Sequence, residues 1–456
     1  MTTTSAPLAA LPATGHARAI LTLGLPLIGS QLAQFGLHVT DTIMLGWYGI
    51  LPLAAGVIGS SSFFVIFILG SGFAKAVMPM VANAEARGDE VQVRRVARMG
   101  LWLSILFGIL CYPLFWWSEP ILLALGQKPD VAALAQDYLR FVGLGMIPAL
   151  MVMVLKGYLA ALERTQVQLW VTLAAVPLNI ALNWMLIFGN WGAPELGVLG
   201  SALATLIVQV ASLLALCLYA ALLPALRKYQ LFIRFWRPDW PGFVAVFRLG
   251  TPMGLTGLAE SGLFQASALM MGWIGTVELA AHGIALEITA LTFMVHVGLA
   301  NAITVRTGRF HGAGNLPDLR LGAKVAIGLS LVFAGLTVVV FLTLPTPMIS
   351  VFIDPASPER MTIIAIGTTL LACAALFQLA DSMQVLALGM LAGVQDTKVP
   401  MVLASVSYWL IGIPASYILA FPLGFGAVGL WLGLVIGLAT AAASLMARFW
   451  LRVSRA

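Results

Sequence analysis

Residues 18–46, RAILTLGLPLIGSQLAQFGLHVTDTIMLG, form the stretch that decides the fold. A helix that crosses a membrane needs about 20 apolar residues. This stretch is longer than that, and after Arg18 its one charged side chain is Asp41. The stretch therefore predicts a transmembrane helix, and Asp41 becomes an anomaly that needs a functional explanation.

The composition of the whole chain agrees with this interpretation. Of its 456 residues, 61% are hydrophobic and 9% are charged, whereas soluble domains carry roughly 25% charged residues. These values exclude a soluble fold and predict a polytopic membrane protein. Three cysteines lie far apart in apolar segments, so neither a disulfide framework nor a CxxC metal motif is expected. Residues 1–17 lack the basic region of a signal peptide and are expected to form a short mobile tail.

The same length test, applied along the chain, predicts an all-α polytopic membrane protein with twelve transmembrane helices. The predicted spans are 18–46, 52–82, 98–118, 138–161, 168–190, 196–224, 246–273, 278–306, 322–345, 362–393, 399–421 and 426–449. Lys and Arg concentrate before the first span, after the even-numbered spans and at the C-terminus. The positive-inside rule then places both termini in the cytoplasm. The net charge of +6 is explained by topology, so we expect no nucleic-acid partner.

The two halves of the sequence repeat each other. At an offset of 226 residues, several motifs of the first two spans recur without a gap in the seventh and eighth. The matched residues include Leu23, Gly24 and Pro26 with Leu249, Gly250 and Pro252, and Gly88 with Gly314. We therefore predict two pseudo-symmetric six-helix bundles, an N-terminal lobe at 18–237 and a C-terminal lobe at 238–456. Parallel repeats of this kind are found in secondary transporters, which bind substrate and coupling ion between or within the lobes.

A polar stripe runs along the first predicted helix. Its four residues are spaced by 3, 4 and 3 positions, which places them on one face; they are Gln31, Gln34, His38 and Asp41. Such a face cannot meet lipid and must meet another helix or a wet cavity. Interhelical hydrogen bonding would explain the glutamines. It explains Asp41 poorly, because an Asp at a helix centre costs about 2.5–3.5 kcal/mol.

Two further acids lie deep in the second half, Glu260 and Asp381, and Gln378 stands one turn before Asp381. From the helical rise, the depth below the cytoplasmic side is about 15 Å for Glu260 and about 18 Å for Asp381. We therefore expect the two acids to share one site in the C-terminal lobe. Glu260 occupies the repeat position of Gln34, so the acids are not duplicated with the scaffold.

The spans offer few cations that could neutralise these acids. Two of the lysines within them, Lys75 and Lys156, are expected near cytoplasmic ends, where their side chains would extend to the interface. Removal from water favours the neutral form of a carboxyl group, which suits it to take up and release H+. The same oxygens could instead ligate Na+.

Other small and polar residues leave more than one interpretation open. Asn179 and Asn183, spaced four apart after Pro177, either line a cavity and contact Asp41 or hold helices together. The glycines of the last span are spaced four apart, which predicts close helix packing; they are Gly429, Gly433 and Gly437. Five prolines are expected to kink their helices; they are Pro26, Pro148, Pro177, Pro252 and Pro414.

Several motifs together resemble one transporter family. They are VTDTIMLG after Pro26, LNIALNW with GAPELG at 192–197, LAES with LAAHGIA at 279–285, and QLADSMQ followed by Asp396-Thr397. This set is similar to the multidrug and toxic compound extrusion (MATE) family, in its bacterial NorM-type branch, over essentially the whole chain. The resemblance implies a twelve-helix antiporter in which Asp41, Glu260 and Asp381 match the family's acids. The chain departs from the family pattern at Phe377, one turn before Asp381, where a tyrosine would offer a hydroxyl.

From the residues and the resemblance we expect a secondary active efflux transporter, not an enzyme, which exports organic cations and amphipathic drugs against H+ or Na+. Glu260 and Asp381 are expected to bind the coupling ion, and to ligate it if the ion is Na+. Asp41 would attract the drug's cationic group or serve as a second protonation site. The expected cavity-lining residues are Gln34, His38, Asp41, Asn179, Asn183, Phe377 and Gln378.

The remaining expectations follow from the same interpretation. No cofactor is expected beyond the coupling ion, and the protein is expected to work as a monomer in the bacterial inner membrane, surrounded by lipid. The alternative is a flippase of lipid-linked precursors from the wider superfamily, for which several arginines would be expected to line the cavity. A membrane protease would need a GxGD or HExxH motif, and the sequence contains neither. The choice between Na+ and H+, the drug spectrum and a role for His38 in proton transfer stay open.

Overall fold

The computed structural model describes residues 11–355 and 357–454, and each regular element in these ranges is helical. The first half contains α1 (Ala13–Tyr48), α2 (Ile50–Ala86), α3 (Glu90–Trp116), α4 (Ser118–Ala124), α5 (Pro129–Leu144), α6 (Met146–Ala161), α7 (Thr165–Phe188), α8 (Val198–Leu222) and α9 (Pro224–Arg227). The second half contains α10 (Trp240–Ile274), α11 (Thr276–Gly312), α12 (Leu316–Thr343), α13 (Pro345–Ser350), α14 (Arg360–Gly393), α15 (Lys398–Val406), α16 (Ile413–Ala420) and α17 (Gly426–Ser454). A 3₁₀ turn covers Asn190–Gly192, and a π-helical turn covers Ser407–Gly412.

The helices confirm the predicted class of polytopic all-α membrane protein. Within the described ranges, 11 helices are long and apolar enough to cross a membrane, and counting the bent pair α5–α6 as one span gives 12. The predicted fourth span, 138–161, is this bent pair, whose axes differ by 42°. The break falls at Gly145, three residues before Pro148. Pro148 has no N–H to donate to the carbonyl of residue 144, so the regular hydrogen bond is missing next to the bend.

Pro414 has a similar effect on the eleventh span. It lies at the second position of α16, directly after the π-helical turn Ser407–Gly412. Because proline cannot donate to the carbonyl four residues earlier, the helix widens here, and Ile413 donates instead to the carbonyl of Tyr408, five residues back. This wider turn positions Tyr408, which is fully buried.

The described chain forms two compact units. The first unit is Gly29–Gly254, and the second contains residues 11–28 and 255–454. The change from one unit to the other falls inside α1 and inside α10, a few residues after Pro26 and Pro252. The predicted lobes, 18–237 and 238–456, place their boundaries between spans instead. Of the expected mobile tail at 1–17, residues 1–10 lie outside the described residues, and α1 begins at Ala13.

Equivalent turns in the two halves have the same backbone conformation. Gly88 and Gly314, 226 residues apart, have φ angles of 72° and 68°. Each is followed by an N-cap whose side chain accepts a backbone N–H, Asp89 for α3 and Asn315 for α12. The repeat seen in the sequence therefore extends to individual turns.

The glycines of α17 allow the close packing that their spacing predicts. A Cβ atom at Gly433 would lie 2.2 Å from the backbone N and Cα atoms of Ser416, and one at Gly437 would lie 2.7 Å from Cα of Gly412. Such distances leave no room for a side chain. The final helix thus packs backbone to backbone against the segment that contains Tyr408.

Candidate functional site

The first polar cluster surrounds Asp41 within the first unit. Asn183 and Asn179 on α7 donate to Oδ1 of Asp41 at 2.6 and 3.0 Å, and Thr205 on α8 donates to Oδ2 at 3.3 Å. Asn183 also donates to Oδ1 of Asn179 at 3.2 Å. Both carboxylate oxygens of Asp41 therefore accept hydrogen bonds from neutral donors.

The helical period explains why α7 supplies two donors. Asn179 and Asn183 are four residues apart, so both face Asp41, and they are 2% and 0% exposed. Tyr138 on α5 lies close enough to interact electrostatically with Asp41, and its hydroxyl is hydrogen-bonded to Ser60 at 2.9 Å. Sequence reasoning missed Thr205 and Tyr138, because a single hydroxyl in a span gives no signal of its own.

The polar stripe of α1 continues from Asp41 toward an exposed region. His38 lies close enough to interact electrostatically with Asp41, and both His38 and Gln34 are exposed. Oε1 of Gln34 lies 3.4 Å from Nζ of Lys156 on α6, and the same nitrogen donates to Thr172 on α7 at 3.0 Å. The ammonium of Lys156, which we expected to extend to the interface, turns toward the polar stripe of α1.

The second polar cluster lies within the second unit, around Asp381 on α14. Asp381 interacts electrostatically with Glu260 on α10, so the structure brings these two acids together. Gln384, one turn after Asp381, donates to the hydroxyl of Tyr408 at 2.5 Å and to Oε1 of Glu260 at 3.4 Å. Gln378 lies one turn before Asp381 and is fully buried.

Several atoms of this second cluster lack hydrogen bonds. Among the described residues, Oδ1 of Asp381, both amide atoms of Gln378 and Oε1 of Gln384 are buried without a partner. More than about 90% of buried polar groups in proteins are paired, and each unpaired one costs about 1–3 kcal/mol. A concentration of unpaired oxygens around a carboxylate is suited to a bound cation, since hard cations take oxygen ligands.

The residues around the acids differ in part from the predicted set. Phe377, expected to line a cavity, is 1% exposed and packs against Phe264 and Trp431, with ring centroids 6.0 and 5.7 Å apart. The hydroxyl that Phe377 lacks is supplied to the cluster by Tyr408 from another span. Sequence reasoning missed Tyr408, because its position depends on the π-helical turn. Gln384, the last residue of the QLADSMQ motif, is three positions after Asp381 and therefore on the same helix face. This spacing could have identified Gln384 from the sequence.

The usual protein ligands of metal ions are the side chains of His, Cys, Asp and Glu. In the ranges described, no group of three or more His, Cys, Asp or Glu side chains is placed to hold a metal ion. The interacting groups of the second cluster are instead Asp381 with Glu260, and Gln384 with Glu260 and Tyr408.

Comparisons with known proteins agree with this architecture. The MatE family model matches residues 26–185 and 252–418. The probable multidrug resistance protein NorM of Rhizobium meliloti is 47% identical over 435 residues, which cover 95% of this chain and 93% of the relative. A protein of the same name from Pseudomonas putida is 38% identical over 442 residues, which cover 97% of this chain and 96% of the relative.

Solved structures share the fold. The outward-facing conformation of a multidrug resistance MATE family transporter superimposes with a TM-score of 0.88 at 22% identity, over 96% of each chain. The eukaryotic MATE transporter AtDTX14 gives a TM-score of 0.85 at 20% identity, also over 96% of each chain. At these identities the likeness concerns the fold alone.

Proposed function

The chain belongs to the MatE family, the multidrug and toxic compound extrusion transporters, and from that premise we propose that it is a multidrug efflux transporter driven by cation antiport. It exports organic cations and other amphipathic drugs in exchange for H+ or Na+. One observation supports antiport most directly: the buried Oδ1 of Asp381 has no hydrogen-bond partner among the described residues. It lies in a cluster with Glu260 and two glutamines that have unpaired atoms in the same part of the chain.

In this proposal Glu260 and Asp381 bind the coupling ion. A proton would neutralise one of two interacting carboxyl groups, and Na+ would take the unpaired oxygens as ligands. Either ion lowers the cost of burying two acids in one unit. Release of the ion restores this cost, so the site alternates between two states of different charge.

Asp41 has the other role in the proposal. Its carboxylate accepts three hydrogen bonds from neutral donors, so the ionised group has no cationic partner among these donors and can attract the cationic group of a drug. His38 is exposed and interacts electrostatically with this carboxylate, and we assign it to the drug-facing side of the cluster together with Gln34.

The protein is a multi-pass membrane protein by the length and apolar composition of its helices. We place it in the bacterial inner membrane with both termini in the cytoplasm, because Lys and Arg concentrate in the segments next to the termini and after the even-numbered spans. Each unit carries its own polar cluster, so a monomer suffices in this proposal, and no cofactor is needed beyond the coupling ion.

The test is ethidium efflux from inverted and right-side-out membrane vesicles, under an imposed Na+ gradient and, separately, an imposed pH gradient. The unaltered protein should respond to at least one gradient, and that gradient names the ion. Asp381→Asn and Glu260→Gln should each abolish the response. Matched controls are Asp130→Asn and Glu359→Gln, the same chemical changes at exposed positions. Efflux that ignores both gradients, or that persists in both cluster variants, would refute the antiport.

A further inference from the structure

Lys156 is a cation held by neutral groups. Its ammonium has three N–H donors, and the structure gives it two acceptors, the hydroxyl of Thr172 at 3.0 Å and Oε1 of Gln34 at 3.4 Å. Among the described residues no carboxylate lies within 4.0 Å of Nζ. A lysine within a span is costly without a counter-charge, so this arrangement leaves a positive charge that an anion would stabilise.

The surrounding side chains fix Lys156 in place. Ser30 is hydrogen-bonded to the hydroxyl of Thr172 at 3.0 Å, and that hydroxyl donates to the carbonyl of Gln168 at 2.8 Å. Gln168 in turn donates to the backbone carbonyl of Lys156 at 2.5 Å. Side chains from α1, α6 and α7 thus hold the ammonium beside Gln34. A preorganised donor binds an anion at a smaller entropic cost than a mobile one.

The ammonium of Lys156 lies beside an exposed side chain, that of Gln34. Lys156 is half-buried and Gln34 is exposed, although both lie on helices that are long and apolar enough to cross a membrane. Exposed polar groups at such positions face water or a polar ligand, since lipid cannot satisfy them. The third donor of Lys156 is therefore available to a group that enters on this face of the first unit.

The separation of Gln34 and Asp41 along α1 sets the length of a ligand that could contact both Lys156 and Asp41. Gln34, in contact with Lys156, precedes Asp41 by seven residues, which is about two turns of α1 and about 10 Å along its axis. The positive and negative groups lie on the same face of this helix. A ligand that satisfies both must carry an amine at one end and an acidic group roughly 10 Å away.

We propose that Lys156, with Gln34 and Thr172, forms an anion subsite that binds the carboxylate of zwitterionic drugs whose amine is held at Asp41. This inference rests on the proposed efflux function and specifies its substrate class. Purely cationic drugs use Asp41 alone, and amphiphiles that carry both charges gain a second, charge-assisted contact.

The test compares two fluorescent probes that differ in one group, a zwitterionic rhodamine with a free ring carboxylate and its methyl ester. Binding to the purified protein in detergent is followed by fluorescence polarisation, and export is measured in the vesicles used for ethidium. The unaltered protein should bind the free acid more tightly than the ester. Lys156→Met should weaken binding of the acid by about tenfold or more, the effect of losing a hydrogen bond to a charged group. Lys156→Arg should restore it.

Each outcome decides the inference. Equal losses for both probes in Lys156→Met would show that Lys156 only ties helices together, and equal affinities of the unaltered protein for acid and ester would overturn the subsite without any variant. Ethidium efflux without export of the acid refutes the subsite and leaves the antiport intact. Absence of ethidium efflux under both gradients refutes the efflux function itself, and the subsite with it.

Discussion

At the scale of single residues, the acids of the two units differ in how they are satisfied. Asp41 accepts from Asn179, Asn183 and Thr205, whereas Oδ1 of Asp381 accepts from no described residue. Neutral donors thus surround the carboxylate of Asp41, whereas one oxygen of Asp381 is left for another group to bind. The first environment suits electrostatic attraction of a cation, and the second suits uptake of one.

Asn183 should therefore control the affinity of the drug. Asn183→Ala removes the shortest hydrogen bond to Asp41, and a hydrogen bond to a charged group is worth about 1.5–3 kcal/mol. We expect the dissociation constant of ethidium to rise by about tenfold or more, as measured by fluorescence polarisation. Asn190→Ala, in the loop after α7, is the control and should leave the constant unchanged. Unaltered affinity in Asn183→Ala would mean that Asp41 does not bind the drug as a carboxylate.

The sequence identified the acids and missed most of their partners, for a physical reason. Asp41, Glu260 and Asp381 stand out because a charge in an apolar span is costly. Tyr408, Tyr138 and Thr205 do not stand out, since aromatic and small hydroxyl side chains are common in such spans. Their roles depend on which helices are neighbours, and a helix's own pattern does not contain that information. The pair Asn179 and Asn183 was recognised because its spacing is local.

At the scale of helices, glycines that look alike in the sequence have opposite requirements. A Cβ at Gly433 in α17 would lie 2.2 Å from backbone atoms of Ser416, whereas one at Gly328 in α12 would meet nothing within 4 Å. The backbone cannot move aside as a flexible side chain could. The same substitution is therefore expected to change stability in opposite directions at these two positions.

Gly433→Ala should destabilise the protein by about 1–3 kcal/mol, the usual cost of overpacking. Gly328→Ala should stabilise it by up to about 1 kcal/mol, because alanine is the better helix former. Thermal unfolding of the purified protein in detergent measures both, and the two variants serve as each other's control. A melting temperature for Gly433→Ala at or above that of the unaltered protein would contradict the close packing of α17.

The π-helical turn Ser407–Gly412 links helix geometry to the proposed ion site around Asp381. It places the hydroxyl of Tyr408 beside Gln384, and it exists next to Pro414, which cannot form the regular hydrogen bond. Pro414→Ala restores a donor and should return the segment to α-helical register. Tyr408 would then move away from Gln384, so the site would lose a contact without any change to Tyr408 itself.

We therefore expect Pro414→Ala and Tyr408→Phe to weaken binding of the coupling ion by similar factors, a few-fold each. The double variant should be no worse than either single one, because both remove the same contact. The concentration of Na+ or H+ that half-displaces ethidium gives the ion affinity. Additive losses in the double variant would show that Pro414 acts on the site by a route other than Tyr408.

At the scale of the whole molecule, the two halves share a duplicated scaffold, but the acidic residues within the spans are not duplicated. The two family matches begin at Pro26 and Pro252, and 252 − 26 = 226 is the offset of the repeat. Within this frame Glu260 corresponds to Gln34 and Asp41 to Ser267. The sequence predicted this asymmetry, because both the offset and the acids are visible along the chain. Each unit consequently holds a different kind of polar cluster, and the antiport that we propose uses both.

The division of labour predicts a reciprocal pair of variants. Asp41→Asn removes the charge near the drug and keeps the volume, so ethidium should bind about tenfold or more weakly. Any ethidium that binds should still be displaced by the coupling ion. Asp381→Asn should bind ethidium with nearly unchanged affinity, and the ion should no longer displace it.

Polarisation titrations of the two purified variants, with and without Na+ and across a series of pH values, measure both quantities, and Asp130→Asn provides the control. Both variants should fail to export ethidium in vesicles, although for different reasons, since one cannot hold the drug and the other cannot exchange it. The opposite result for Asp381→Asn would be much weaker ethidium binding, with the residual bound ethidium still displaced by the ion. That result would exchange the roles assigned to Asp41 and Asp381. The acid of the second unit would then bind the drug, and the carboxylate of Asp41 would be the site through which the ion acts.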